Sequence, residues 1–418
     1  ISKTSLPLLN IELYIIYIGI YDQLYKHDIM GKLKYILSNA GKFHHFEVAK
    51  VLHQRSQLTK IICGYPWFKL KKEKIPKRLV NANGLLRIIR EPFIGVKNLE
   101  KIDFFLEKLN AKNIDKVTCK SIYNYKDANV LLSLSTVGLK SGMIMKKNKK
   151  IYICERSSAH IVHQNELLKN EYEEYTNRKF QIDNWYIERE LEEYQNADII
   201  LVPSTFVKNT FNQSHYSKIQ IIEFGADIDN FFMINDENKS QKYFDILFIG
   251  AKSLRKGLHY LIEAFNKFKH PNKRLHIIGS NTDDKDFFDK KLNSENIIVY
   301  GHVPHSKMNK IINKCHLHVL PSIEDGFGLV VLQAAAAGCP SIVSENAGAS
   351  DFIKKNNCGF VVPYKNSSAI TEKIQLLADN KIMLNEMSYN AINSTKQYTW
   401  SNYVDRLDEV VFEFQKNR

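Results

Sequence analysis

Residues 319–343 read VLPSIEDGFGLVVLQAAAAGCPSIV, and this stretch decides the fold. An apolar strand ending at Leu320 is followed by a short turn, after which Gly326-Phe327-Gly328 opens an alanine-rich helix. Gly338 and Pro340 end that helix before another apolar strand begins. A strand, a glycine turn and a helix in this order predict a parallel sheet of the α/β class.

The turn before this helix has the features of a phosphate-binding site. Glycines let the backbone approach an anion closely, and the unpaired N–H groups of a helix start attract it with the positive end of the dipole. Glu324 and Asp325 stand at the mouth of the turn, and Gln333 lies about two turns into the helix with its side chain directed back toward the N-terminus. The pattern alone fits a surface loop before a packing helix equally well.

Composition indicates a globular chain that is long enough for two domains. The chain has 418 residues, of which 44% are hydrophobic and 25% are charged. Its six cysteines are scattered without a Cys-x-x-Cys pair, so we expect reduced core thiols of a cytosolic protein rather than disulfides or a zinc site. The formal net charge of +14 fits nucleic acid, an anionic membrane or phosphorylated substrates. Charge is the sole indication of nucleic acid, which we do not expect as a partner.

The first half of the chain repeats the alternation of strand, turn and helix. The strand Tyr35 to Asn39 ends at Gly41, and His44 and His45 begin the helix that follows. Ligands of such sheets bind at the carboxyl ends of the strands, which places Gly41 at the cleft. A later strand ends at Glu155, and Arg156 and His160 follow it at the same edge of the sheet. The two histidines at residues 44 and 45 fit a solvated helix start equally well.

The stretch at residues 324–333 resembles the nucleotide-sugar site of retaining glycosyltransferases of family 4, which have the GT-B fold. That fold has two Rossmann-like, doubly wound domains that face each other across a cleft. The family pattern is a Glu-Gly-Phe-Gly turn with a second Glu eight positions after the first. Asp325 and Gln333 occupy those two positions here, and Glu324 stands one residue earlier. Which of the two acids meets the donor sugar therefore stays open.

The resemblance extends through the second domain and into the first. The sequence Ser253 to Gly257 follows a strand and a glycine, as in the family, where an Arg and a Lys hold the donor diphosphate. Lys256 matches the family lysine, whereas Ala251 stands at the usual Arg position, so Arg255 has to supply the second cation. The segment from Gly41 onward is similar to one bacterial subgroup of the same family.

The resemblance also implies roles for the predicted site residues. It implies a donor diphosphate held by the two cations without a metal ion or another cofactor, and a donor ribose at Gln333. A neutral histidine of the first domain contacts the donor sugar in the family, and His160 is the candidate. The predicted residues are, for catalysis, His160, Glu324 and Asp325; for the donor diphosphate, Gly41, Arg255, Lys256, Gly326, Phe327 and Gly328; for the ribose, Gln333; and for the acceptor side, His44, His45 and Arg156.

We expect four segments along the chain. Residues 1–29 form an extension that we do not expect to belong to the fold, because its uncharged run at residues 13–21 is too short to span a membrane. Residues 30–238 form the acceptor domain, and residues 239–398 form the nucleotide-sugar domain after a polar linker at residues 235–242. Residues 399–418 form a helix that crosses back to the first domain.

A basic run in the first half predicts contact with an anionic membrane. Trp67 and Phe68 stand beside six cations, namely Lys69, Lys71, Lys72, Lys74, Lys77 and Arg78. A solvated loop explains such a run as well.

The expected function is retaining transfer of a sugar from a nucleotide diphosphate sugar to a glycan or lipid-linked acceptor in cell-surface polysaccharide synthesis, in the cytoplasm and at the inner face of the membrane. A nucleotide-sugar epimerase of the same fold and a non-catalytic nucleotide-sugar-binding protein are the alternatives.

Overall fold

The computed structural model describes residues 32–94, 99–234, 239–282 and 284–418. The predicted extension at residues 1–29 and half of the predicted linker lie outside these ranges. No helix within the described ranges has the length and apolar character needed to cross a membrane.

The first sheet is parallel and, in the described residues, has seven strands in the order β3-β2-β1-β4-β5-β6-β7. Its strands consist largely of buried, β-branched and apolar residues, as expected for a sheet covered on both faces. The strands are β1 Tyr35–Asn39, β2 Leu58–Cys63, β3 Val80–Ala82, β4 Val130–Leu134, β5 Ile151–Glu155, β6 Ile199–Val202 and β7 Ile219–Ile221.

Helices connect these strands and cover the sheet. The predicted helix after Gly41 begins at His45. The helices are α1 His45–Gln54, α2 Trp67–Leu70, α3 Leu85–Arg90, α4 Glu100–Asn124, α5 Leu139–Lys147, α6 Ile161–Tyr175, α7 Asn184–Asn196 and α8 Thr205–Asn209.

The second sheet is also parallel and, in the described residues, has six strands in the order β10-β9-β8-β11-β12-β13. In both sheets the order reverses beside the first strand, which creates the crevice where doubly wound sheets bind ligands. The strands are β8 Phe244–Ile249, β9 Lys273–Ile278, β10 Ile297–Gly301, β11 Leu317–Leu320, β12 Ser341–Ser344 and β13 Gly359–Val362.

The helices of the second half alternate with these strands, and the last of them leaves the second sheet. Helix α16 packs against α1, where Arg55 Nη1 donates to Asp405 Oδ1 at 2.7 Å and Tyr35 Oη donates to Asp408 Oδ1 at 2.6 Å. The helices are α9 Leu258–Lys267, α10 Lys285–Asp289, α11 His305–Ile312, α12 Leu329–Ala336, α13 Ser350–Asn356, α14 Ser367–Asp379, α15 Lys381–Thr395 and α16 Trp400–Lys416.

The two sheets therefore form the GT-B architecture predicted from the sequence. Their carboxyl edges meet, because the turn after β11 contacts the loop after β5: Ala159 N donates to Glu324 Oε1 at 2.8 Å. Helix α6 of the first half reaches the second half further along, where Tyr172 Oη donates to Asp284 Oδ2 at 2.8 Å.

Candidate functional site

The glycine turn after β11 lies where the two halves of the molecule touch. A Cβ added at Gly326 would lie 1.9 Å from the Ser157 carbonyl oxygen, so no other residue fits there. Gly328 has a φ of +86° and precedes α12, a left-handed conformation that glycine adopts without strain. The absence of a side chain at Gly326 thus lets the turn approach the backbone of the first domain, and its predicted contact with the diphosphate stays a prediction.

The side chain of Phe327, a residue predicted at the diphosphate, is part of the core. Its side chain is 1% exposed and packs against Phe224, with ring centroids 5.4 Å apart. Its carbonyl accepts a hydrogen bond from Ala349 N at 2.6 Å. Phe327 therefore anchors the turn in the core, and only its backbone N–H is left for a phosphate.

Glu324 is fully buried and is held by both halves of the molecule. Its Oε1 accepts from Ala159 N at 2.8 Å, and its Oε2 accepts from Gln164 Nε2 at 2.7 Å and from Arg255 Nε at 2.8 Å. Burial alone would raise the pKa of this carboxyl, but Arg255 and the two other donors outweigh it and hold the pKa below its ordinary value. Glu324 is an ionised acid whose oxygens are occupied.

Asp325 has a different environment although it is the next residue. Its Oδ2 accepts from Lys256 Nζ at 2.5 Å, and both side chains keep some exposure, 11% for Asp325 and 22% for Lys256. Its backbone is fixed by hydrogen bonds between Asp325 N and Asn346 O and between Gly348 N and Asp325 O. The structure therefore joins the two predicted cations to the two predicted acids, one pair each.

Gln333 carries an unsatisfied acceptor inside the protein. Its Oε1 is buried and has no hydrogen-bond partner among the described residues. Because an unpaired buried acceptor is costly, such an atom is explained most simply by a ligand that supplies the missing donor. Helix α12 begins at Leu329, so Gln333 lies just over one turn into it rather than two.

On the other side of the interface, a cavity of about 360 Å³ lies at the carboxyl edge of the first sheet. Gly41 and His44 line it after β1, Ser135 after β4, and Ser157 and Ser158 after β5. Ser158 Oγ also accepts from Arg255 Nη2 at 3.3 Å, so the cavity borders the cation pair of the second domain. Gly41, predicted at the diphosphate, lies in this cavity.

Arg156 lines the same cavity but is fully engaged by protein groups. Its guanidinium donates to Glu190 Oε1 at 3.0 Å, Gln164 Oε1 at 2.8 Å and the Ala159 carbonyl at 2.9 Å. Glu190 in turn accepts from Tyr194 Oη at 2.5 Å. Arg156 therefore orients Gln164, which holds Glu324, and supports the site from behind.

His44 and His45 both face the carboxylate of Glu155. His44 Nε2 lies 2.6 Å from Oε1 and His45 Nε2 lies 2.7 Å from Oε2. Burial would raise the pKa of Glu155, but the two histidines outweigh it and hold that pKa well below its ordinary value. His45 is fully buried, which contradicts its predicted direct contact with an acceptor, whereas His44 lines the cavity under the ring of Trp400.

His44, His45 and Glu155 form, within the described ranges, a group of possible metal ligands that lie close enough together to hold an ion. Their ligand atoms lie within 4.8 Å of one another. The distances of 2.6 and 2.7 Å are those of direct charge-assisted contacts between imidazole and carboxylate. Both imidazoles therefore lie against the Glu155 carboxylate, while His45 Nδ1 is buried without a hydrogen-bond partner among the described residues.

His160 begins α6 in a partly buried, aromatic environment. Its ring lies 4.8 Å from that of Phe211 and 5.2 Å from that of Tyr194, and its backbone N–H donates to Thr210 Oγ1. Burial, and then the charge of Arg156, lowers the pKa of His160 to about 4. The imidazole is neutral as predicted, but it is not among the residues that line the 360 Å³ cavity.

Three residues of the site were absent from the sequence prediction. Glu155 is the partner of both histidines, Gln164 connects Arg156 to Glu324, and Ser158 joins the cavity to Arg255. Glu155 is the last residue of β5 and Ser158 lies three residues after it, so strand-end position could have indicated both. Gln164 lies inside a helix with no distinguishing pattern.

Comparison with known proteins agrees with this geometry. Residues 229–394 match the family model described as glycosyl transferases group 1. The capsular polysaccharide biosynthesis glycosyltransferase CapM of Staphylococcus aureus is 26% identical over 224 residues, which cover 49% of this chain and 58% of CapM. An N,N'-diacetylbacillosaminyl-diphospho-undecaprenol alpha-1,3-N-acetylgalactosaminyltransferase of Campylobacter jejuni is 27% identical over 194 residues, 44% of this chain and 51% of that protein.

The similarity to solved structures extends over most of the chain. Anabaena Alr3699/HepE, crystallised with UDP and glucose, has 12% sequence identity and a TM-score of 0.66, and the alignment covers 91% of this chain and all of that one. By sequence, the chain spans about half the length of the curated relatives it matches. The chain has the GT-B fold, and its residues 229–394 match the model of the glycosyl transferases group 1 family.

Proposed function

We propose that the protein is a retaining glycosyltransferase that moves a sugar from a nucleotide diphosphate sugar to a glycan or lipid-linked acceptor. The observation that carries this proposal is the pairing of Arg255 with Glu324 and of Lys256 with Asp325 at the switch point of the second sheet. Two cations at this position neutralise the charge that develops on a leaving diphosphate, which is the chief electrostatic demand of such a transfer.

In this proposal the two acids have different tasks. Asp325 keeps an exposed edge and a single cation partner, so it meets the donor sugar once the diphosphate takes over Lys256. Glu324, which is fully buried, holds Arg255 in place and fastens the turn to the first domain. Gln333 supplies its unpaired Oε1 to a hydroxyl of the donor ribose.

The acceptor binds, in this proposal, in the first-domain cavity beside Ser157 and Ser158. We place the reaction in the synthesis of cell-surface polysaccharide, because CapM is named for capsular polysaccharide biosynthesis and the Campylobacter relative for a diphospho-undecaprenol acceptor. The six free cysteines fit a reducing cytoplasm. No divalent cation is needed in this scheme, since Arg255 and Lys256 replace it at the diphosphate.

Two other functions would use the same donor site. An epimerase would convert the bound sugar without an acceptor, and a binding protein would release the nucleotide sugar unchanged. The replacement of the family's second Glu by Gln333 favours the binding protein, whereas the intact pair of Lys256 and Asp325 favours transfer.

The test is to follow several nucleotide sugars by nuclear magnetic resonance with and without candidate acceptors and without Mg²⁺ or Mn²⁺. Transfer predicts release of the nucleoside diphosphate and a new glycosidic signal that retains the donor's anomeric configuration. Epimerisation would give a new nucleotide sugar with no free diphosphate, and a binding protein would give neither. The Asp325→Ala and Glu324→Ala variants are the internal comparison, because we expect Asp325→Ala to lower kcat.

A further inference from the structure

Two neighbouring helices of the first domain leave a contiguous apolar surface uncovered. Leu85 is 71% exposed and Phe105 is 60% exposed, although both are large apolar side chains. Exposed apolar residues clustered in this way mark an interaction site on a protein surface. We call this set the apolar platform, and it consists of Phe68, Leu85, Ile88, Ile89, Ile102 and Phe105.

The platform follows from the spacing of residues along α3 and α4. Leu85, Ile88 and Ile89 are three and four positions apart and share one face of α3. Arg87 and Arg90 lie on the opposite face and line the 360 Å³ cavity. The helix therefore separates the cavity from the exposed apolar face, with one side directed to each.

Ion pairs hold the platform together. Arg90 binds the carboxylate of Asp103 and, at 3.1 Å, that of Glu107, which fixes α3 against the start of α4. Lys69 Nζ lies 3.1 Å from Glu91 Oε1, which joins α2 and Phe68 to the end of α3. The carboxylates of Glu91, Asp103 and Glu107 are therefore each paired with a cation beside the platform.

Three lysines of the basic run beside the platform have no ion pair with a described residue. Lys71, Lys72 and Lys74 are these three, and all of them are exposed. Trp67, which the sequence prediction placed at the membrane, packs instead against the core of the first domain. The apolar contribution predicted for Trp67 therefore comes from α3 and α4.

We propose that the apolar platform and the adjacent lysines dock the first domain onto an anionic membrane. Apolar side chains flanked by unpaired cations match the acyl boundary and the anionic headgroups of such a surface. A second copy of this chain fits less well, because a twofold interface would bring the same lysines of both copies close to each other.

The geometry adds a reason for this docking, and this step rests on the proposed function. With the platform on the bilayer, the Arg87 side of α3 lies directly behind the surface and lines the acceptor cavity. A lipid-linked acceptor could then present its headgroup to the cavity while its lipid remains in the membrane. Membrane binding itself does not depend on catalysis, so the two can fail separately.

The experiment is sedimentation of the full chain with vesicles of phosphatidylcholine alone or mixed with phosphatidylglycerol, at low and high salt. We expect binding to rise with anionic lipid and to fall with salt. The Ile88→Ser and Phe105→Ser variants should each weaken partitioning about tenfold or more, because each removes one exposed apolar side chain that docking would bury in the membrane. The double variant Lys71→Gln with Lys72→Gln should weaken it about 30-fold, since each cation contributes about fivefold.

Matched controls come from the second domain. Ile382→Ser, which removes an isoleucine on α15 that is more exposed than Ile88, and Lys307→Gln with Lys310→Gln on α11 should bind vesicles as the parent does. Binding of nucleoside diphosphate should be unchanged in every variant, which separates docking from the donor site. Absence of sedimentation with either vesicle, or equal binding by Ile88→Ser and the parent, would overturn the proposal. So would a dimer in solution that Phe105→Ser dissociates, because it would assign the platform to a second copy.

Discussion

The turn at residues 324–328 and the segment at residues 41–45 occupy equivalent positions, each following a strand at the carboxyl edge of a parallel sheet. In the second domain, Asp325 keeps a partly exposed cation partner and Gln333 has an unpaired acceptor. In the first domain, His45 is sealed inside and its polar contact is to Glu155. In the second domain the acid keeps an exposed edge, whereas in the first domain both imidazoles lie against the buried carboxylate of Glu155.

The difference shows what fixes a polar side chain at a strand end. Around Asp325, the fixing groups come from the same domain and from two short segments, residues 255–257 and 346–348. Around His44, they come from β5 and from Trp400 on the last helix. A site assembled from nearby segments keeps its motif recognisable, and a site closed by distant segments does not.

The largest effect is expected from Arg255→Ala, which leaves Glu324 buried with an uncompensated charge. Breaking a buried pair by removing one partner costs about 3–5 kcal/mol of the free energy of unfolding. Glu324 is fully buried while Arg255 is one-third exposed, so we expect the lower end of this range. Urea denaturation followed by circular dichroism measures the change.

The control for this prediction is Lys267→Ala, which removes an equally short but exposed pair with Glu263. An exposed pair of this kind is worth about 0–1 kcal/mol. Equal losses in the two variants would mean that Glu324 is not held by Arg255 in the way that its burial indicates, and the contrast between the two domains would lose one of its supports.

A smaller effect, on the donor rather than on stability, is expected from Lys256→Ala. A charge-assisted hydrogen bond is worth about 1.5–3 kcal/mol, which corresponds to a loss of roughly 10- to 150-fold in kcat/KM for the nucleotide sugar. Steady-state release of the nucleoside diphosphate measures it. The control for the loss of a lysine is again Lys267→Ala, because Lys267 is exposed. Lys252 is buried and does not serve this purpose. If the kinetic constants of Lys256→Ala equalled those of the parent, the assignment of the diphosphate site to the second domain would be wrong.

The third prediction concerns the unpaired Oε1 of Gln333. Gln333→Glu should remain active, because a carboxylate also accepts a hydrogen bond from a ribose hydroxyl. Gln333→Ala should raise the donor KM, with a loss of about 1–3 kcal/mol if a ligand hydroxyl is left unpaired. The measurement is the KM for the nucleotide sugar in both variants and in the parent. If the KM of Gln333→Ala equalled that of the parent, Gln333 Oε1 would not bind the donor.

The sequence predicted two doubly wound sheets and the positions of the two cations and the two acids in the second domain. Each of these predictions follows from a strand end and a short motif. It left open which of Glu324 and Asp325 is buried, because this depends on the backbone of Ala159, more than a hundred residues away. It also placed His45 on the acceptor side, since neither spacing nor residue type reveals that the side chain is buried against Glu155. Long-range burial is the information that local patterns lack.

The smallest expected effect is a dependence of stability on pH through His160. Its pKa in the folded protein is about 4, below the value of about 6.5 for an exposed histidine, so the unfolded chain binds the proton more tightly. The stabilisation is therefore fully present above pH 6.5 and is lost as the pH falls from there toward 4. Because the ring is only partly buried, we expect the free energy of unfolding to fall by on the order of 1 kcal/mol between pH 7 and pH 5.

His160→Phe keeps a ring against Phe211 and cannot be protonated, so its free energy of unfolding should fall less over this interval. The control His302→Phe, in an exposed loop, should follow the parent. If His160→Phe and the parent lost the same free energy, the imidazole would be freely solvated, and the first domain would offer a second open polar group beside its closed histidine cluster.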